Sequence, residues 1–271
     1  PFTMVATASS GLAVTFSSSD PAVATVTGST VTITGPGTTT ITASQAGNAG
    51  FDAATNVNQT LTVTAASPLI AAWDFQTTLN GGTAVSGNTA TPATPVVYIA
   101  NFGSGTIYLD GSNGSSSWLV AASNTQLTAY SGTSVNASSV VGMSTNTSSP
   151  AALGLLGGGS NAANGKKVSF KFSMLGLKDL VVSYASQGTA SGFTSQLWEY
   201  SADGSAWTTL QTINPVPASF AVITLNTITA LNGDSEVFLR VTFNGATASS
   251  GNNRLDNIQL RATTVPTIQT S

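Results

Sequence analysis

The chain has 271 residues, room for two ordinary domains, yet only 6% of them are charged and it contains neither Cys nor His. That excludes disulfides and thiolate metal sites and removes the commonest acid–base group and metal ligand. All seven basic residues lie from Lys166 onward, so no basic patch is available to neutralise phosphates, and nucleic acid is not an expected partner. No apolar run reaches the roughly 18 residues of a membrane span, and membrane insertion is not expected either.

From Pro1 to Gly165 only Asp20, Asp52, Asp74 and Asp110 are charged, a net −4 against +1 for the remainder. Compositional drift accounts for this; weak head-to-tail complementarity is the sharper alternative. A surface so poor in Lys and Glu is weakly protected against association.

In chain order, the first apolar residues alternate: Phe2, Met4, Ala6; Leu12, Val14, Phe16; Val31, Ile33; Ile41, Ala43; Leu61, Val63. Turn signals separate them (SSG, SSDP, TGS, GPG, AGNAG), which predicts short antiparallel strands in a sandwich over residues 1–64, followed by a linker at 65–68. The series SSG-hydrophobic-SSDPAVATV, VTITGPGTTTITASQAGNAG and FDAA resembles a bacterial immunoglobulin-like surface repeat. The resemblance implies a spacer without catalytic residues, in which a further strand normally precedes the PFT segment.

The second module is predicted over 69–264. It opens with LIAAWDF and continues through VVYIANF, TIYLDG, KVSFKF, LKDLVVSYAS, SQLWEYSADGSAW, FAVITL and VFLRVTFNG to RLDNIQLRAT. Eight to ten alternating runs with no helix signal predict a larger jelly-roll sandwich, with Asp203-Gly204 at a hairpin turn. The fold class expected is therefore all-β: an immunoglobulin-like β-sandwich plus a larger jelly-roll β-sandwich. The opening AAWDF, the YSADGSAW hairpin and the closing RLDNIQL resemble jelly-roll modules of bacterial secreted and cell-surface proteins. That implies an extracellular, surface location and a shape related to carbohydrate-binding modules.

Candidate chemistry is thin. The acids sit beside Gly, Pro or Asn in turns, which turn chemistry explains, and no catalytic residues are assigned. Asp74 and Asp256 fall on the first and last strands of the jelly roll, which lie side by side in that fold. A structural calcium held by both is one reading, as the resemblance implies; the other is that they cap turns or pair with Arg254. Otherwise no cofactor is expected. Trp198 and Tyr200 share a strand face with Trp207 across the hairpin, a pattern of packing, whereas Trp118, in the loop-like NGSSSWLV, is the candidate glycan contact.

The two ends suggest assembly. Val265, Pro266, Thr267, Ile268, Gln269, Thr270 and Ser271 read as an extended strand resembling the start of a following surface repeat, while the first module lacks its own leading strand. Donation of this strand to an acceptor edge formed by Phe2, Met4, Val5 and Ala6 of a neighbour would couple copies head to tail into a fibre. The same contact within a tandem-repeat polypeptide, or with neighbouring surface repeats, is equally consistent. The alternative function is a carbohydrate-binding or adhesive module with a polysaccharide partner.

Overall fold

The computed structural model describes residues 1–63, 67–77, 84, 97–119 and 124–265. The chain divides into two units, Pro1–Ala66 and Ser67–Val265. Both are all-β, as the alternation predicts; among the described residues the helical element is a 3-10 turn at Gly159–Asn161, and no helix is long and apolar enough to cross a membrane.

The first unit contains β1 (Phe2–Thr3), β2 (Thr15–Ser18), β3 (Ala24–Thr27), β4 (Thr30–Ile33), β5 (Gly37–Ser44) and β6 (Val57–Val63). They form two antiparallel three-stranded sheets, β1-β4-β3 and β2-β5-β6. Only Val23, Ala24, Val31 and Ile41 are buried apolar side chains among its described residues. Polar closure supplements this small core: the buried Thr39 hydroxyl lies 2.8 Å from Ser18 Oγ and accepts the Asp20 N–H at 2.9 Å. Asp20 Oδ1 in turn accepts the Ala22 N–H at 2.9 Å across Pro21, an Asx turn of the kind Asp-Pro favours.

The second unit carries β7 (Leu69–Trp73), β8 (Val97–Ile99), β9 (Phe102–Gly103), β10 (Thr106–Tyr108), β11 (Leu127–Tyr130), β12 (Ala152–Leu156), β13 (Lys167–Phe172), β14 (Leu177–Gly188), β15 (Ser195–Ser201), β16 (Thr208–Ile213), β17 (Ala221–Thr224), β18 (Val237–Asn244) and β19 (Asn252–Thr264). One sheet runs β16-β15-β18-β13-β10-β8; the other runs β11-β12-β19-β14-β17, with β7 joined to β19 and β9. The opening strand β7 thus pairs with the closing strand β19, through Trp73↔Ile258 and Ala71↔Leu260.

Period-two alternation decides what each sheet buries. In β13, Val168, Phe170 and Phe172 face the core and Lys167, Ser169 and Lys171 face the other way; in β18, Val237, Leu239, Val241 and Phe243 are buried inward. Four rings link the sheets: Trp73 meets Phe170 at 5.8 Å, Phe170 meets Trp198 at 5.6 Å, and Trp198 meets Tyr184 at 5.2 Å. Their polar atoms are satisfied inside: Trp73 Nε1 donates to the Tyr98 carbonyl, Trp198 Nε1 to Tyr184 Oη, and Tyr184 Oη to Gln196 Oε1 at 2.6 Å. Each such ring contributes about 1.5–3 kcal/mol by leaving water.

The β15–β16 hairpin departs from a two-residue turn. Its loop covers 202–207, where Asp203 Oδ1 accepts the N–H groups of Ser205 and Ala206 and the Ser201 hydroxyl. Three donors on one exposed carboxylate hold its pKa well below the ordinary carboxylate range. Gly204, at φ 73, supplies the left-handed residue this loop needs.

Candidate functional site

Two places in the second unit gather chemistry, and the first lies on the outward face of the six-stranded sheet. Ladder register aligns Ile99, Thr106, Lys171 and Phe238 in one cross-strand row, and Tyr108, Ser169, Arg240 and Glu199 in the next. At the β8 edge this face opens into a cleft of about 480 Å³, lined by Ile99, Thr106, Tyr108, Lys171, Ser104 and Glu236 among others. Ile99 is half exposed, so the cleft has an apolar side, Ile99 with the Tyr108 ring, and a polar side. Lys171 Nζ lies 2.8 Å from Glu236 Oε2 and 5.6 Å from the Phe238 ring centre; its hydrogen bond to the carboxylate raises its pKa above the ordinary lysine value.

Gly103 shapes the cleft from behind. At φ 71 its α-carbon packs against the Ile70 carbonyl so closely that any Cβ would collide with that oxygen. The turn between β9 and β10 therefore lies flat on β7. Further along the same sheet face, Arg240 forms a two-pronged pair with Glu199 at 2.6 and 3.0 Å and stacks 4.1 Å over the Trp207 ring. The Gly114 backbone packs on the six-membered ring of that indole.

The second place is a buried carboxylate pair on the outer face of the other sheet. Between Ser183 and Ala185 of β14 the β19 register slips by one residue, a bulge that turns Leu255 and Ile258 both inward and lets Asp256 point out. Asn257, at φ 47, and Phe75, at φ 56, are left-handed residues directly after Asp256 and Asp74. The segment 131–146 covers both acids: Asp256 Oδ2 accepts the Thr133 N–H, and Asp74 Oδ2 accepts the Ser144 N–H. Neither carboxylate is exposed. Burial pushes the Asp256 carboxyl up to about 8; the Thr133 and Asn257 N–H groups oppose that, and the negative charge of Asp74 adds to it.

The donor set fits a hard cation. Two adjacent carboxylates repel, Asn257 Oδ1 is buried without a partner among the described residues, and the Asn146 carbonyl and Asp256 Oδ2 converge beside Gly132. Asp74, Asp256, Asn257 and the Asn146 carbonyl would hold such an ion. Among the described residues no cluster of three or more His, Cys, Asp or Glu side chains exists, so backbone and amide oxygens would complete the shell. Arg254 does not pair with either acid; it stacks 4.5 Å over Tyr130.

Trp118 is not a glycan contact. It is 2% exposed, packs edge-on against Phe193 and Phe243, and donates its indole N–H to the Lys167 carbonyl at 2.9 Å. The polar NGSSS run before it forms the surface turn, and the indole that follows turns inward. Trp198 and Tyr200 likewise pack toward the core, whereas Trp207 stands on the opposite face against Arg240.

In the first unit, the expected acceptor edge is only partly free. Phe2 is paired with Val31 in β1. Met4 still donates its N–H to the Ser29 carbonyl, and Met4, Val5 and Ala6 line an apolar groove of about 320 Å³ with Phe16, Ile41, Ala43 and Val57. Of the expected donor strand, Val265 donates its N–H to the Gly176 carbonyl, so it belongs to the second unit; Pro266, Thr267, Ile268, Gln269, Thr270 and Ser271 lie outside the described residues.

The cleft residues Tyr108, Lys171 and Glu236 are absent from the sequence expectations. Alternation in TIYLDG and KVSFKF places Tyr108 and Lys171 on a solvent face; which strands lie side by side is a matter of long-range pairing that the run itself does not carry.

Comparison with known proteins finds no matching family model and no matching curated protein. Solved structures give distant likenesses. One, described as carbohydrate-binding modules from the beta-sandwich superfamily, has 11% identity, a TM-score of 0.34, and covers 87% of this chain and 79% of its own. The CBM22-1 and GH10 modules of a Clostridium thermocellum endo-1,4-beta-D-xylanase, complexed with xylohexaose, give 10% identity and a TM-score of 0.33, covering 54% of this chain and 26% of that one. The K2 cleaved adhesin domain of Lys-gingipain gives 14% identity and a TM-score of 0.31 over 43% of this chain and 75% of its own. The chain thus spans about a quarter of the xylanase chain's length. Likenesses of this degree carry no argument about what the chain binds.

Proposed function

We propose that this chain is an extracellular carbohydrate-binding or adhesive protein whose second unit takes a glycan in the cleft beside β8. The observation that supports this reading is the cleft's two-sided chemistry. A sugar ring has an apolar face and a hydroxyl rim; here Ile99 and Tyr108 offer the apolar surface, with Thr106, Ser104, Lys171 and Glu236 as donors and acceptors beside it. The one carboxylate of the lining is paired with Lys171, which supports binding rather than bond cleavage as the reading. Affinity electrophoresis through gels containing polysaccharides tests it. Retardation by at least one polymer, abolished in Tyr108→Ala with the melting temperature unchanged, is the expected result; retardation unaffected by Tyr108→Ala would move the site elsewhere.

A second reading concerns the first unit. Met4, Val5 and Ala6 border an apolar groove, and Val57 in the edge strand β6 is largely exposed. This supports strand addition from a second copy, with residues 266–271 as the donor, and hence head-to-tail assembly into a surface fibre. Sedimentation of polymer from the intact chain, lost on Val57→Asp, is expected on this reading; a strictly monomeric chain at high concentration contradicts it.

A further inference from the structure

The charges around the cleft are paired off, and that determines which glycans it can accept. Lys171 is tied to Glu236, and Arg240 to Glu199 through both prongs of its guanidinium. Each cation also lies over a ring, Phe238 for Lys171 and Trp207 for Arg240. The cleft lining itself carries one positive and one negative side chain, so it presents no net charge. By contrast, the hydroxyls of Ser104, Thr106 and Ser235 make no hydrogen bond among the described residues and are available at the lining.

We infer that the cleft takes an uncharged, hydroxyl-rich polysaccharide and discriminates against polymers of uronic acids. This rests on the reading of the cleft as a glycan site. A carboxylate entering beside Lys171 must compete with Glu236, which already neutralises the ammonium and repels the newcomer. A neutral sugar meets no such opposition: its hydroxyls can donate to Glu236 and accept from Lys171 while the pair stays closed. Glu236 therefore acts as the residue that sets specificity, by excluding anions rather than by holding the sugar alone.

The experiment compares the intact wild-type chain with Glu236→Gln on neutral polymers (laminarin, galactan, glucomannan) and on acidic ones (polygalacturonate, alginate). Glu236 is exposed, and thermal melts of both proteins check that the substitution leaves the fold intact. Wild type is expected to bind a neutral polymer with an affinity that changes less than about twofold between about 50 and about 500 mM NaCl, with acidic polymers at least about tenfold weaker. Glu236→Gln, which frees the Lys171 ammonium, is expected to gain binding to polygalacturonate at low salt and to lose that gain at high salt. Acidic polymers bound by wild type as tightly as neutral ones would overturn the inference while leaving the glycan reading intact. The same holds if Glu236→Gln leaves the preference unmoved. Absence of binding to every polymer would overturn both.

Discussion

Asp256 and Asp74 are buried together beneath the segment that carries Thr133 and Ser144, and the charge of Asp74 adds to burial in raising the Asp256 carboxyl to about 8. Its folded value exceeds the 3.8 of an ordinary aspartate, so ionising it opposes folding. The sheet's closing strand therefore carries a group that costs nothing below about pH 4 and costs progressively more as pH rises toward 8.

In chelator, the melting temperature of the second unit is expected to fall as pH rises from about 5 to about 8, and Asp256→Asn is expected to flatten that slope. Bound calcium would supply compensating charge and is expected to raise the melting temperature most at the alkaline end, where ionisation of Asp256 opposes folding most. Calorimetry with and without calcium checks both. A melting temperature indifferent to pH and to calcium in wild type would mean that the pair is held by its Thr133, Ser144 and Thr77 hydrogen bonds alone.

Trp118 is a core residue, and its loss is a folding lesion. Trp118→Ala removes an indole packed on Phe193 and Phe243 and one of the two hydrogen bonds to the Lys167 carbonyl, the other being the Ser116 N–H. A loss of about 3–5 kcal/mol in urea unfolding is expected, with Trp118→Phe retaining much of it. Polysaccharide binding per folded molecule should be the same in wild type and Trp118→Phe. A stable Trp118→Ala protein that fails to bind would restore the residue as a contact.

The sequence was legible where alternation alone decides the outcome. Lys167 to Phe172 and Val237 to Asn244 read as strands with one apolar face, and both bury that face. Adjacency of Asp74 and Asp256 was also readable, because a jelly roll brings its first and last strands together. Exposure of single aromatics was not. Trp118 follows five polar residues, and only the ladder bond from its own N–H to the Leu109 carbonyl shows that the chain has by then re-entered the sandwich. Likewise, the bulge that turns Asp256 outward depends on Asn257 adopting a left-handed conformation, which no pattern in RLDNIQL specifies.

The two units have unequal cores. Among the described residues the first buries four apolar side chains, of which Ala24 is small, whereas the second buries one large cluster of rings and aliphatics and a smaller aliphatic one. Net stability is a small surplus of burial over chain entropy, so the first unit has much less to lose. Calorimetry is expected to resolve two transitions, the lower abolished when residues 1–66 are removed and the upper unchanged. A single transition that shifts on that truncation would show instead that the units unfold together.

The two ion pairs on the six-stranded sheet allow burial to be separated from mere proximity. Arg240 and Glu199 side chains are 17% and 13% exposed; Lys171 and Glu236 are 34% and 56% exposed. Their shortest contacts, 2.6 and 2.8 Å, are similar, so distance does not distinguish them. Solvent screening does: a double-mutant cycle for Arg240 and Glu199 is expected to give a coupling of about 1–3 kcal/mol, against about 0.2–1 kcal/mol for Lys171 and Glu236. Arg240→Lys should recover less than half of the first coupling, because an ammonium cannot span both carboxylate oxygens while lying flat on Trp207. Equal couplings for the two pairs, or full rescue by lysine, would show that the guanidinium's fork and its indole contact contribute nothing beyond charge, and that the outward face of this sheet is more open to water than its geometry indicates.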